Sequence, residues 1–233
     1  MAIPGAIDHP VRLVVFDLDG TLIDSRRDLA DAANALIVEH GGTPLPMDAV
    51  TAMVGEGTEV LVRRLVKAAG ISGDLHAALA RYLELYDERL LAHTRLYDGT
   101  AEALEALSHR ATLAVLTNKH QRPTEAILAG LGIAQFFRWM IGGDTAHGRK
   151  PDPAGLNWLI AAAGVTPAGT IMVGDSAVDL KTARAAGTGV CLVRYGFGFP
   201  TAEPLLDGSE KIAGAPRDLI ELLTDASASI DSA

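Results

Sequence analysis

Cysteine is nearly absent: Cys191 is the only one in 233 residues. The chain can therefore form no internal disulfide, and it offers no cysteine cluster for zinc. No stretch approaches the roughly 18 apolar residues that a membrane helix needs. The opening Met1-Ala2-Ile3-Pro4-Gly5 lacks the basic segment and apolar run of a signal peptide. A cytoplasmic location is expected. Basic charge is also scarce, with 20 Lys and Arg against 29 Asp and Glu, a formal charge of -9. Proteins that hold nucleic acid by its phosphates are normally basic, so neither nucleic acid nor a membrane is an expected partner. The histidines (9, 40, 76, 93, 109, 120 and 147) have no metal-ligand spacing, and there is no internal repeat.

What is present is an apolar fraction of 48%. That is enough for a large core, in one domain or two modest ones, and too much for a disordered chain. Five short apolar runs, Leu13–Phe16, Ala111–Leu116, Trp139–Ile141, Thr170–Val173 and Val190–Val193, read as strands buried on both faces. Helical stripes lie between them. Ile127, Leu128 and Leu131 follow Pro123 and precede Gly132, and Leu156, Leu159, Ile160 and Ala163 lie between Pro153 and Gly164. From residue 98 on, helix and strand alternate, which predicts a parallel, Rossmann-like α/β sheet.

Residues 23–97 break that rhythm. They contain no strand-like run but three amphipathic patterns: Leu29, Ala33, Leu36 and Ile37; Leu61, Leu65, Ala68 and Ala69; and Leu75, Leu79, Tyr82, Leu83, Tyr86 and Leu90. A single crossover needs about a dozen residues and one helix, so this excess predicts a small helical cap inserted after the first strand. The core is then 1–22 plus 98–233, with 226–233 small, polar and frayed.

Ligands of parallel α/β folds sit beyond the carboxyl ends of the strands. Asp17, Thr117, Asn118, Gly174 and Asp175 occupy those positions. Asp17 and Asp19 are two residues apart, so an extended chain points both into one crevice, and Gly20 permits a sharp turn beside a ligand. Asp175 and Asp179 bring the acids to four. That many carboxylates demand a counter-ion, and ligands that are all oxygen beside a phosphate select Mg²⁺. Taken singly, any of them could instead cap a helix or turn, and Asp179 either touches the metal or only braces its neighbours.

The heptapeptide Phe16-Asp17-Leu18-Asp19-Gly20-Thr21-Leu22 resembles the first signature of the haloacid dehalogenase-like phosphatases. A match to Asp-x-Asp-Gly-Thr arises by chance on the order of 10⁻⁵ per position. Leu113 to Thr117 resembles the second signature, Lys150 in Arg149-Lys150-Pro151-Asp152-Pro153 the third, and Gly174-Asp175-Ser176-x-x-Asp179 the fourth. The resemblance implies Asp17 as the nucleophile and Asp19 as the acid and base. It also implies Mg²⁺ held by Asp17, the backbone carbonyl of Asp19 and Asp175, and phosphate held by Thr117, the backbone at Asn118 and Lys150. Relatives that cleave carbon–halogen bonds lack the second acid, because halide leaves without a proton. Asp19 therefore points to phosphate.

The cap loop Val54-Gly55-Glu56-Gly57-Thr58, with the short cap and the overall length, is most similar to phosphoglycolate phosphatases. That implies a small phosphorylated metabolite bearing a carboxylate. Gly55 and Gly57 expose backbone N–H groups for it, and Thr58 could cap the helix that follows. An ordinary turn between helices is the competing reading of this loop. Arg27 is a second candidate for the carboxylate, or else a solvated helix Arg. Two positions depart from those relatives: Glu56 brings negative charge to the loop, and Asp98-Gly99 stands where Pro-Gly is usual. His120 either lines the crevice or lies at the surface. Tyr195-Gly196-Phe197-Gly198-Phe199 is read as a plain loop, with a place at the edge of the site as the alternative, and Cys191 as a small buried residue. A phosphosugar mutase, a nucleotidase or a pyrophosphatase would carry the same acids. A phospho-Asp signalling receiver would place its acid pair differently and lack the cap. Monomer and homodimer are both compatible with the sequence.

Overall fold

A computed structural model describes residues 10–224, so the segment expected to fray lies outside the described residues. β1 (Leu13–Phe16) leads through β2 (Ile23–Asp24) into the helices α1 (Arg26–Glu39), α2 (Met47–Thr51), α3 (Thr58–Ala68) and α4 (Leu75–Asp87). The chain returns by β3 (Arg95–Leu96) and continues through α5 (Thr100–Ser108), β4 (Thr112–Leu116), α6 (Gln121–Gly130), β5 (Phe137–Ile141) and α7 (Ala154–Ala163). It ends with β6 (Thr170–Gly174), α8 (Ala177–Ala186), β7 (Gly189–Val193), α9 (Phe199–Ala202), β8 (Lys211–Ala213) and α10 (Asp218–Thr224).

Six strands form one parallel sheet in the order β5-β4-β1-β6-β7-β8. β1 lies at its centre, with Phe16 level with Val115 of β4 and Val173 of β6. Val14 and Phe16 pack on one face of the sheet and Leu13 and Val15 on the other, each within its own apolar cluster. A strand covered on both faces needs no polar alternation, so the apolar runs are legible as strands.

The cap region holds a third cluster, in which Leu36, Ile37, Val50, Val62, Leu65 and Tyr82 are buried together. Its stripe on α4 is displaced from the one the sequence suggests. Ala78, Tyr82, Leu85 and Tyr86 are buried, whereas Leu75, Leu79, Leu83 and Leu90 are half-covered.

Several elements lie beyond the sequence pattern. β8 extends the sheet to six strands, and α2 adds a short cap helix. Residues 23–97 are not strand-free, since β2 and β3 pair antiparallel (Ile23 with Leu96, Asp24 with Arg95) where the chain leaves and re-enters the core. Two residues are too few to carry a period. α6 begins at Gln121, two residues before Pro123, because a proline in the first turn lacks an N–H that would be unpaired there anyway. α6 stops at Gly130, and Gly132 follows it at φ 71.

Leu36 is 0% exposed in the cap cluster. Leu36→Ala is expected to lower unfolding free energy by about 2–5 kcal/mol in urea titration; a loss under about 0.5 kcal/mol, typical of exposed sites, would contradict this packing.

Candidate active site

The carboxyl ends of β1, β4 and β6 converge under the cap. Asp17 follows β1 and stays in register with β6, its N–H donating to the Val173 carbonyl at 2.9 Å. Gly20 turns the chain at φ 83, and a Cβ there would fall 2.0 Å from Asp175 Oδ2. No other residue fits. The turn closes as the Gly20 N–H donates to the Ile23 carbonyl at 2.9 Å. Asp17, Asp19, Thr117, Asn118 and Asp175 all line one cavity, of about 50 Å³.

Lys150 reaches this crevice from the segment between β5 and α7. Its Nζ lies 2.8 Å from Asp17 Oδ1 and 2.6 Å from Asp179 Oδ1, with only 2% of the side chain exposed. Asp179 Oδ2 accepts from the Ser176 N–H at 3.0 Å and the Ser176 hydroxyl at 2.7 Å, closing a capping box at the start of α8. Asp179 thus contacts both Lys150 and Ser176. Gly174 is required here as well, since a Cβ would fall 2.2 Å from Asp179 Cγ.

Burial pushes the Asp17 carboxyl up to about 6, against the pull of Lys150, and Asp179 adds to the rise. Burial, then the charges of Asp179 and Asp17, drives Asp175 well above the usual carboxylate range. Burial works against the Lys150 charge, yet Asp17 and Asp179 hold its ammonium at about 12. One ammonium thus faces three buried acids. Asp17, Asp175 and Asp179 each offer an oxygen within 4.8 Å of the others, and a donor set of oxygens alone with excess negative charge fits a hard divalent cation. The Asp19 side chain stands outside that triple. It accepts from the Ser25 hydroxyl at 2.5 Å on Oδ1 and pairs with Lys119 Nζ at 2.9 Å on Oδ2.

Thr117 and Asn118 are buried where β4 ends. The Asn118 amide donates to the Gly55 carbonyl at 3.0 Å and the Lys150 carbonyl at 2.9 Å, tying the cap loop to the core. Gly55 and Gly57 line the cavity at φ 118 and φ 95. Thr58 does not cap α3; it is the first residue of that helix, and Gly57 takes the cap position. Glu56 turns to the surface and pairs with Arg64, which removes its charge from the cavity.

Arg27 does not line the cavity. It is exposed on α1 and pairs with Asp31 at 3.0 Å, because its position on the helix faces away from the cap core. His120 lies near Asp144 at 3.8 Å and does not line the cavity. The glycine and aromatic stretch after β7 is more than a plain loop. The Gly198 N–H donates to Asp175 Oδ2 at 2.7 Å, and Cβ atoms at 196 or 198 would crowd Asp175 at 2.3 or 3.0 Å. Glycines at 196 and 198 were the available sign of that close approach. Lys119, Tyr82 and Tyr86 also line the cavity without having been singled out. Lys119 directly follows Asn118, whereas the tyrosines were hidden in an ordinary apolar stripe.

A buried carboxylate ends the central strand, a second acid follows two residues on, and a lysine sits between two carboxylates. The chain belongs to the haloacid dehalogenase-like hydrolases, whose family profile matches residues 14–193. It is 42% identical to a phosphoglycolate phosphatase of Rhodospirillum rubrum over 80% of each chain. It is 41% identical to one of Pseudomonas putida, over 80% of this chain and 70% of that one. The crystal structure of a predicted phosphoglycolate phosphatase from Haemophilus somnus superposes with a TM-score of 0.86 at 31% identity, covering 92% of this chain and 99% of that one. Among the described residues, no helix is long and apolar enough to cross a membrane.

Asp17 rises from 3.8 to about 6 on folding, so between those values the folded state binds the extra proton and stability falls as pH rises. A divalent cation reverses that cost only where the acids are ionised. Mg²⁺ is expected to raise the melting temperature of the chelator-treated protein more at pH 7.5 than at pH 5 in calorimetry; an equal shift at both would contradict the assignment.

Proposed function

We propose that the protein is a Mg²⁺-dependent phosphomonoester hydrolase that works through a phosphorylated Asp17 and acts on 2-phosphoglycolate. The observation that carries this reading is Asp17 and Asp19 lining one cavity, with the Lys150 ammonium 2.8 Å from the Asp17 carboxylate. A carboxylate oxygen of Asp17 attacks phosphorus and the bond to the leaving oxygen breaks. Asp19 donates the proton that the leaving oxygen needs. It then takes a proton from water, whose oxygen attacks the same phosphorus and frees Asp17 and inorganic phosphate. Ser25 and Lys119 keep the Asp19 carboxyl oriented for both transfers.

Thr117, the backbone at Asn118 and Lys150 supply positive ends and donors for the phosphoryl oxygens. Asp17, Asp175 and the backbone carbonyl of Asp19 would hold Mg²⁺, with Asp179 orienting Lys150 and α8 beside it. Bound there, Mg²⁺ would offset carboxylate repulsion and draw charge from the phosphoryl oxygens.

Residues 23–97 act as the cap in this reading. Asn118 bonds the cap loop, and Arg122 on α6 pairs with Asp87 on the cap at 2.6 Å. A cavity of about 50 Å³ between the cap loop and the strand ends is in keeping with a compact substrate. The names of the relatives point the same way, as does Asp19, which a halide leaving group would not need. A buried, unpaired Cys191 is in keeping with a reducing cytoplasm.

Two measurements check the reading. Asp17→Asn should lower kcat by at least about a thousandfold with the fold intact. Phosphate release should also be Mg²⁺-dependent, with kcat/KM for 2-phosphoglycolate at least about tenfold above phosphosugars, nucleotides and pyrophosphate. Near-native turnover by the variant would overturn the nucleophile, and equal values across the panel would overturn the substrate. Isomerised sugar phosphate in place of free phosphate would indicate a mutase.

A further inference from the structure

Beside Asp19 the cavity is lined by donors from α4 and from the end of β4, not all of whose hydrogens have acceptors. Tyr82 and Tyr86 lie one turn apart on α4 with rings stacked, centroids 6.1 Å apart and planes at 5°. The Tyr82 hydroxyl is buried and has no hydrogen-bond partner. The Tyr86 hydroxyl accepts from Lys119 Nζ at 2.9 Å, which leaves its own proton to donate. Lys119 rests 4.5 Å from the Tyr86 ring centroid and pairs with Asp19, so two of its three hydrogens are engaged. All three residues are at least nine-tenths buried and line the same cavity.

Burial pushes both phenols well above their usual range, so each keeps its proton and acts as a donor. α3 begins at the cavity with Thr58, and no side chain caps its first N–H groups. Its positive end therefore faces the same space. Among the described residues, the fully buried side-chain atoms of the lining that lack a partner are the Tyr82 hydroxyl and, on the β4 side, Asn118 Oδ1.

We propose that Lys119, Tyr82 and Tyr86 form a subsite for a carboxylate on the non-reacting end of the substrate, so that the site selects short phosphorylated acids. The proposal rests on the phosphatase reading of Asp17 and Asp19 and adds the residues that choose the substrate. A buried donor without an acceptor costs free energy, and a carboxylate satisfies several donors at once without bringing a hydrogen of its own. A sugar hydroxyl or an alkyl leaving group returns less, because a hydroxyl needs an acceptor as well and an alkyl group satisfies none. The subsite adjoins Asp19, so a carboxylate held there puts the leaving oxygen near the acid that protonates it. A molecule with one or two carbons between phosphate and carboxylate fits that spacing.

The test compares 2-phosphoglycolate with ethyl phosphate, which is of similar length but lacks the carboxylate. Binding is measured by calorimetry in the Asp17→Asn background, where turnover is blocked, and kcat/KM in the otherwise native chain. Tyr82→Phe should weaken 2-phosphoglycolate binding by about tenfold or more and change ethyl phosphate by less than about twofold. Lys119→Met also disturbs Asp19, so it should lower kcat for both esters, but it should collapse the preference for 2-phosphoglycolate in binding. Tyr82→Phe removes only an unpartnered hydroxyl, so its melting temperature should hold or rise; a structural role would lower it. Equal losses for the two esters, or a native chain that binds both equally, would overturn the subsite even if phosphate is still released. Failure to release phosphate from any ester would overturn the phosphatase reading, while the binding preference still reads the subsite.

Discussion

The ammonium of Lys150, buried between Asp17 and Asp179, is the interaction on which the site depends. Three carboxylates crowd the ends of β1 and β6, and burial makes ionising Asp17 and Asp175 costly. Lys150 contacts two of them within hydrogen-bond distance. Its own backbone carbonyl is held by Asn118, which also holds the cap loop. One side chain and its backbone thereby link the first strand, the start of α8 and the cap. A buried ion pair of this kind is weak as a source of stability. Its worth lies in keeping a carboxylate available in a place that would otherwise protonate it.

The glycines express the same constraint in backbone terms. Asp175 is nested so closely by residues 20, 196 and 198 that no Cβ fits at 20 or 196 without displacing it. A site that must put carboxylates, a cation and a phosphoryl group together leaves little room for side chains that have no chemistry. The cap completes the enclosure. It carries its own apolar cluster and meets the core through polar contacts at Asn118 and Arg122 and through Leu90, which packs against the apolar clusters of both.

Much of this was legible in the chain. The central strands announce themselves because β1, β4, β6 and β7 are apolar on both faces, and Asp17, Asp19, Thr117, Lys150 and Asp175 stand at strand ends or in motifs of recognisable spacing. What escaped was short, edge-bound or dependent on partners distant in sequence. β2, β3 and β8 have two or three residues each, too few for a period. Arg27 read either as a carboxylate ligand near the hinge or as a solvated helix Arg, and the rotation of α1 carries it outward to Asp31. Tyr82 and Tyr86 looked like core residues and are core residues; only the fold reveals that both also line a cavity. The Tyr195–Phe199 stretch is read as a loop until Asp175 is placed beneath it.

The central claim is that Asp17 carries the phosphoryl group between substrate and water. The most direct test is to mix the Mg²⁺-loaded enzyme with 2-phosphoglycolate, quench in acid within a turnover and locate the phosphate by peptide mass spectrometry. The account predicts a transient phosphoryl group on Asp17, absent from Asp17→Asn and lost as free phosphate accumulates. Steady phosphate release with no phosphorylated residue, or with the phosphoryl group on another side chain, would contradict it.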